Sequence, residues 1–244
     1  MNKYTNITLE NIDNEHICCA ISDKKHIDGV QEKKQWLKDR IKEGHVFRKL
    51  NAQGKIFIEY APLEKAWTPI SGNNYIYIYC LWVAGSFKGN GYGKELLEYA
   101  IEDAKKQGKN GICTMTSKKK KPFLAEKKFF EKYGFKVVDT IGEYELMALS
   151  FNEENPQFNE SAKSMQIQDK NITIYYGSQC PFIANSIKEV LEYSQEENIV
   201  VNTIKIDTLE KAKNVPCIFN NWAVFKDGKF IGNTILNKNM MKKL

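Results

Sequence analysis

The sequence predicts a mixed α/β (α+β) protein in two domains, and three observations carry that expectation. The chain has 244 residues, more than one domain usually holds. Short apolar runs punctuated by Gly, Asn and Pro fill the stretch before Gly93, after which the apolar spacing turns helical. A polar, aperiodic stretch at 152–171 then separates two blocks that each carry strands and a helix. The expected division is a first domain at 1–151, a linker at 152–171 and a second domain at 172–244.

In the first block, Ile7 to Leu9 reads as a short strand, and Asp23 to Gly44 as a helix closed by glycine. Strands follow at His45 to Leu50, Lys55 to Ala61 and Tyr75 to Val83, the last two separated by a breaker-rich loop from Pro62 to Asn74. Leu96, Leu97, Ala100, Ile101 and Ala104 fall on one helical face, with Gly108 where a C-cap belongs. A strand at Gly111 to Thr116, a helix at Glu126 to Tyr133 and a hairpin of Phe135 to Asp139 with Tyr144 to Phe151 complete the layer.

The second block reads as a strand at Ile172 to Tyr176 and a helix with Ile183, Ala184, Ile187, Val190 and Leu191 on its apolar face. A strand at Ile199 to Ile206 and a hairpin from Trp222 to Ile231 turned by Asp227-Gly228 follow.

Composition excludes several classes. Lys and Arg number 36 against 30 Asp and Glu, a net charge of +6 that is too mild and too dispersed for nucleic acid as the main partner. No apolar run approaches membrane-spanning length and no basic start leads into an apolar stretch, so a soluble, cytoplasmic protein without a membrane partner is expected. The cysteines, Cys18, Cys19, Cys80, Cys113, Cys180 and Cys217, have neither the density of a disulfide scaffold nor the spacing of a zinc site; reduced thiols and no metal are expected.

The strongest chemical signal is Lys88-Gly89-Asn90-Gly91-Tyr92-Gly93-Lys94, set between an apolar strand and an amphipathic helix. A glycine-rich turn opening a helix aims several backbone N–H groups at one place, and the helix dipole adds partial positive charge there, which suits a diphosphate. Gly91 and Gly93 are read as leaving room for phosphate at the backbone. A P-loop requires Gly-Lys-Ser/Thr, but Gly93-Lys94 is followed by Glu95; the dinucleotide fingerprint needs another glycine spacing. A glycine turn that merely joins strand to helix is the competing reading.

The loop resembles the Q/R-x-x-G-x-G/A pyrophosphate signature of the GNAT acetyltransferases, with lysine at its first position. Ile7 to Phe151 as a whole looks like a GNAT domain, and the end of the chain is similar to the YoaP-type C-terminal domain that accompanies such enzymes. The segments carrying the likeness are Ile58 to Trp67, Cys80-Leu81-Trp82-Val83, Lys119 to Leu124, Gly134-Phe135 and Cys180-Pro181-Phe182.

The resemblance implies acetyl-CoA as co-substrate, pantetheine pairing with backbone of Leu81, Trp82 and Val83, and direct attack on the thioester by an amine of a small molecule or peptide. It also implies that the strand ending at Val83 splays from its neighbour. The tyrosine that protonates the departing thiolate in many relatives is replaced here by Phe130, leaving Tyr133, Tyr144 or water. Glu59 and Glu64, on and just after a strand beside the presumed cleft, are candidate bases, against readings as an exposed strand residue and a loop residue. Trp67, Tyr60 and Trp82 are candidate pocket walls, Cys80 reads as a small buried residue, and the lysine run 118–121 as a solvated loop.

The second domain resembles a reduced thioredoxin-like fold, in which the proline before the hairpin is commonly cis. Cys180 would open a helix there and Cys217 would stand across from it, a candidate redox-labile pair. Cys180-Pro181-Phe182-Ile183 lacks the second cysteine of C-x-x-C, which disfavours dithiol exchange. Two further functions stay open: an acyl-CoA-binding sensor with little turnover, made credible by Phe130, and a thiol-redox protein using Cys180.

Overall fold

Strand propensity and alternation at 75–80 place Tyr-Ile-Tyr-Ile-Tyr-Cys in the middle of a seven-stranded sheet. The structure, a computed structural model, describes residues 3–17, 19–21 and 23–244; Cys18 lies outside the described residues. The chain divides into two units, Met1–Ile21, Leu37–Ala66 and Ile70–Phe158 forming the first, and Ser22–Trp36, Trp67–Pro69 and Asn159–Leu244 the second.

The first unit holds β1 (Tyr4–Asn6), the end of α1 (Ile27–Ile41), β2 (Val46–Leu50), β3 (Ile56–Pro62), β4 (Ile70–Ser71), β5 (Tyr75–Val83) and α2 (Tyr92–Lys106). Then come β6 (Gly111–Ser117), α3 (Lys127–Glu131), β7 (Lys136–Ile141), β8 (Tyr144–Ser150) and β9 (Gln157–Phe158). The large sheet runs β1-β2-β3-β5-β6-β8-β7, antiparallel except for the parallel pair β5 and β6, and β4 pairs with β9 apart from it. Ile56, Ile58, Ile76, Ile78 and Ile112 form one face, which buries Leu96, Leu97, Ala100 and Ala104 of α2 together with Phe130 and Phe135.

The first strand is β1 at Tyr4–Asn6 rather than Ile7 to Leu9, because the chain turns at Thr8: Asn11 Oδ1 accepts from the Thr8 amide at 2.8 Å while Asn11 Nδ2 donates to the Asn6 carbonyl at 3.0 Å.

The second unit contains α4 (Glu160–Lys163), β10 (Ile172–Tyr176), α5 (Phe182–Glu196), β11 (Val201–Lys205) and α6 (Leu209–Lys213), then β12 (Trp222–Lys226), β13 (Lys229–Gly232) and α7 (Lys238–Met241). Its sheet runs β11-β10-β12-β13, with β10 parallel to β11 and the other pairs antiparallel. Asp227 and Gly228 both adopt positive φ, 53° and 76°, as a two-residue hairpin turn requires. Ile172, Ile174, Ile183, Val190, Trp222 and Val224 make its core.

Two sequence expectations about organisation change. The 152–171 stretch is not a plain linker: it holds β9 and α4, and Gln166 bridges to Lys229. Nor is the second unit confined to the chain's end. Asp23 accepts from the Lys25 amide at 3.2 Å to cap a 3-10 turn at Lys24–His26; the His26 ring meets Phe182 edge-on at 4.7 Å, and Lys25 pairs with Glu189 at 2.6 Å. Trp67 likewise joins Trp36, with ring centroids 5.9 Å apart, and Thr68 donates to the Phe219 carbonyl at 3.0 Å.

Candidate active site

The site starts from a fault in the central strand. β5 pairs with β6 only from Tyr75↔Gly111 to Ile78↔Thr114, although β5 runs on to Val83 and β6 to Ser117. At the next residue the register with β3 slips: Tyr60 faces Ile78 and Glu59 faces Cys80, leaving Tyr79 as the extra residue of a β-bulge. A bulge bends its strand and increases local twist, which explains why the β5–β6 ladder stops there. Beyond it Leu81, Trp82 and Val83 keep β3 on one side, through Ile58, Phe57 and Ile56, and have no ladder on the other.

The bulge also sorts the side chains. Ile78 and then Leu81 and Val83 pack on the α2 face, whereas Tyr77 and Tyr79 meet each other at 5.0 Å on the opposite face. Register puts Cys80 beside Glu59 and Trp82 beside Phe57 on that opposite face. Trp82 is 46% exposed there.

After Val83 the chain makes a 3-10 turn at Gly85–Phe87 and enters the glycine loop. Gly89 and Gly91 have φ of 81° and 82°, the left-handed region, and a Cβ at either would meet nothing within 4 Å. Gly91 is the N-cap of α2, so the amides of Tyr92, Gly93 and Lys94 lie in the turn whose N–H groups lack intrahelical acceptors. Asn90 braces the loop by donating from Nδ2 to the Ser86 carbonyl at 3.0 Å. Glu95, the acid of the first helical turn, is held by Lys3 at 2.5 Å and by the Tyr4 hydroxyl at 2.8 Å; Lys3 first and Tyr4 second keep its carboxyl below the usual range. Gly93 differs from the sequence reading: a Cβ there would point at Phe129, 3.4 Å away, and Leu81, 3.7 Å away, so its room lies between α2, α3 and β5.

The candidate acid–base residues separate. Glu59 is not an exposed strand residue: it is fully buried, and its Oε1 lies 3.0 Å from His45 Nε2, whose ring packs on Tyr79 with centroids 5.1 Å apart. Glu64 is not brought to the site. It follows Pro62, which faces Ile76, whereas the loop follows Val83, which faces Ile56; the two ends of β5 are roughly 20 Å apart. There Glu64 pairs with Lys109 at 3.3 Å.

Tyr133 packs with Phe129 at 5.1 Å beside the α2-face cluster, while Phe130 is buried between Phe129 and Phe135. Tyr60 is on the α2 face and donates to Asp103 at 2.7 Å; burial, reinforced by that carboxylate, holds its hydroxyl well above the ordinary phenol range. Of the three expected wall residues Trp82 lies on the unpaired strand itself and Tyr60 on the α2 face, while Trp67 belongs to the second unit. In the lysine run, Lys118 Nζ donates to the Gly142 carbonyl at 2.8 Å and Lys121 pairs with Glu143 at 3.2 Å. His45 carried no sequence signal: it precedes a strand in no recognisable spacing with Glu59.

In the second unit Cys180 is half-buried, ahead of Pro181 at the N-cap of α5, and packs against the core on the α5 face. Cys217 is wholly buried, and burial pushes its thiol well up; its electrostatic neighbour is Tyr175, which packs on Phe225 rather than in the α5-face core. The described peptide bonds are all trans, so the cis proline implied by resemblance is absent at Pro216. Because alkylation needs thiolate, Cys217 is expected to stay unmodified in the folded protein at neutral pH while Cys180 reacts; peptide mass spectrometry after iodoacetamide treatment checks this, and equal labelling would contradict it.

A strand unpaired beyond a bulge that runs into a glycine-turned helix N-terminus defines an α/β site that can offer free main-chain groups and an anion-binding end to one extended ligand. The family model described as acetyltransferase (GNAT) family matches residues 9–135, and one described as YoaP-like matches residues 201–243. Over 244 residues, 99% of this chain and 97% of the relative, the protein is 43% identical to an uncharacterized N-acetyltransferase, YoaP, of Bacillus subtilis (strain 168).

Similar solved structures include the PaiA N-acetyltransferase of Thermoplasma acidophilum in complex with coenzyme A. It is 20% identical, with 61% of this chain and 99% of that chain covered and a TM-score of 0.42. A GNAT acetyltransferase of Brucella melitensis in complex with acetyl-CoA is 14% identical, with coverages of 64% and 92% and a TM-score of 0.40. The chain belongs to the acetyltransferase (GNAT) family. It is an acetyltransferase with acetyl-CoA as co-substrate. Among the described residues no helix is long and apolar enough to cross a membrane, and no group of three or more His, Cys, Asp or Glu is placed to hold a metal ion.

Proposed function

We propose that the protein transfers the acetyl group of acetyl-CoA to a primary amine of a small molecule or peptide, by direct attack and in the cytoplasm. The observation that carries this reading is the coincidence of the unpaired end of β5 with the glycine loop that follows it. Backbone of Leu81, Trp82 and Val83 pairs with the pantetheine amides. Lys88, Gly89, Asn90, Gly91, Tyr92, Gly93 and Lys94 hold the pyrophosphate, through main-chain donors and the helix dipole. The amine enters on the Cys80 and Trp82 face and gives its proton to Glu59, directly or through water, and positioning supplies much of the rate. Tyr133, on the opposite face, protonates the departing thiolate. Glu64 takes no part, since it stands at the other end of β5.

One observation favours a second reading, a sensor that binds acyl-CoA with little turnover: the position of the usual tyrosine acid is Phe130, buried in the core without a hydroxyl. The second unit, with its β-α-β segment and hairpin, serves in either case as a thioredoxin-like, noncatalytic module, since Cys217 is buried with its thiol pushed up.

Calorimetry with acetyl-CoA, followed by thiol release against a panel of primary amines, tests the proposal. Binding with amine-dependent release supports transfer; binding without release for any amine supports the sensor; absence of binding overturns both.

A further inference from the structure

Within two residues of each other along the sheet lie the last β5–β6 pair at Ile78↔Thr114, the bulge at Tyr79, and Cys80, whose register partner is Glu59. To this point the fold brings a fully buried carboxylate and an almost fully buried imidazole, Glu59 Oε1 and His45 Nε2, at 3.0 Å. Taking a carboxylate out of water requires a donor for it. A lysine or arginine would supply that donor permanently, but neither can take on another proton; an imidazole can. His45 is itself fixed, its backbone amide bonded to the Arg40 carbonyl at 3.0 Å and its ring packed on Tyr79, the bulge residue. The pair is therefore tied to the point where the strand leaves its neighbour.

We propose that His45 is a positioning residue for acetyl transfer, holding Glu59 through Nε2 so that the buried carboxylate stands fixed at the bulge to receive the acceptor's proton by way of water. The inference rests on the reading of Glu59 as the base. When one N–H bond of the acceptor ammonium breaks, its proton forms an O–H bond on Glu59 and the freed lone pair attacks the thioester carbonyl. The tetrahedral adduct then collapses with cleavage of the C–S bond, the thiolate is protonated from the opposite face, and the second proton lost by the nitrogen returns through solvent to that acid; His45 Nε2 keeps donating to Glu59 through the 3.0 Å contact throughout.

The test uses the full chain and its Glu59→Gln, His45→Leu, His45→Gln and Glu59→Gln/His45→Leu variants. Thermal melting, acetyl-CoA affinity by calorimetry, and thiol release with the best amine of a panel at saturating acetyl-CoA are measured. His45→Leu is expected to lower turnover by about 10²-fold at unchanged acetyl-CoA affinity, the scale of a misplaced reacting group. His45→Gln, which keeps an N–H donor, recovers most of that loss, and the double variant is no slower than Glu59→Gln alone, as two groups acting as one unit require. Wild-type turnover in His45→Leu, no recovery in a folded His45→Gln, or additive losses in the double variant would overturn the pairing while leaving acetyl transfer in place. A wild-type protein that binds acetyl-CoA but is inert with every amine overturns the transfer reading and this one with it.

Discussion

Gly91→Val is expected to weaken acetyl-CoA binding by about 10- to 100-fold, which corresponds to roughly 1.4–2.7 kcal/mol. Gly91 sits at φ 82° as the N-cap of α2. A β-branched residue there is disfavoured by roughly 1–2 kcal/mol, so the loop shifts toward a backbone that no longer aims its amides at one point. The new side chain also occupies space that is open within 4 Å, where the diphosphate is proposed to lie. Gly108→Val is the matched control: φ is 65° and the surroundings are equally open, but it follows the other end of α2. Both variants are expected to melt a few degrees lower, and calorimetry should find acetyl-CoA affinity lost only in Gly91→Val. Equal affinity in the two would remove the loop from the ligand.

Gly29→Val is expected to cost the second unit about 3 kcal/mol, the upper end of ordinary overpacking, and to lower its melting temperature by roughly 12–24 °C. A Cβ at Gly29 would lie 1.9 Å from the Pro181 carbonyl oxygen and 2.8 Å from its carbon. The clash is with backbone, so no side-chain rotation relieves it; α1 must move off the Cys180-Pro181 turn. Ile27→Ala, on the same helix but 54% exposed, should be nearly neutral. Circular dichroism melts of the two variants, with amide exchange across α5, check the contrast. Wild-type stability in Gly29→Val would mean that the helix does not pack on this turn.

What the sequence disclosed follows from how local each cause is. The glycine turn that opens α2, the Asp227-Gly228 turn and the apolar stripe of α2 are each dictated by residues within a few positions and are legible in the sequence; that Gly89 and Gly91 are the left-handed positions, with Gly93 packed instead against Phe129 and Leu81, is not. The bulge at Tyr79 left one trace: Ile76 and Ile78 share a face with Leu81 and Val83, a slip of parity that strict alternation forbids. A continuous apolar run conceals that slip, since no polar residue marks which positions face which side.

Other features depend on distant partners. An amphipathic helix at 27–41 says that one stripe is buried, not that Gly29 meets Pro181. The two-residue strands β4 and β9 are too short to show a period, so 152–171 looked like a linker. Glu59 beside an acceptor face was readable as a candidate, but His45 was not. Their contact is made across two strands whose spacing encodes nothing. Glu64 follows β3 closely in sequence, yet it lies beyond the end of the strand pair opposite the glycine loop.

Amide hydrogen exchange of the full chain with and without coenzyme A bears most directly on the proposed cradle. If the main chain of Gly89 to Lys94 binds the diphosphate, peptides covering 84–97 should exchange more slowly when coenzyme A is added, and pantetheine, which lacks the diphosphate, should not reproduce the effect. Coenzyme A that binds while leaving exchange across that segment unchanged would contradict the account.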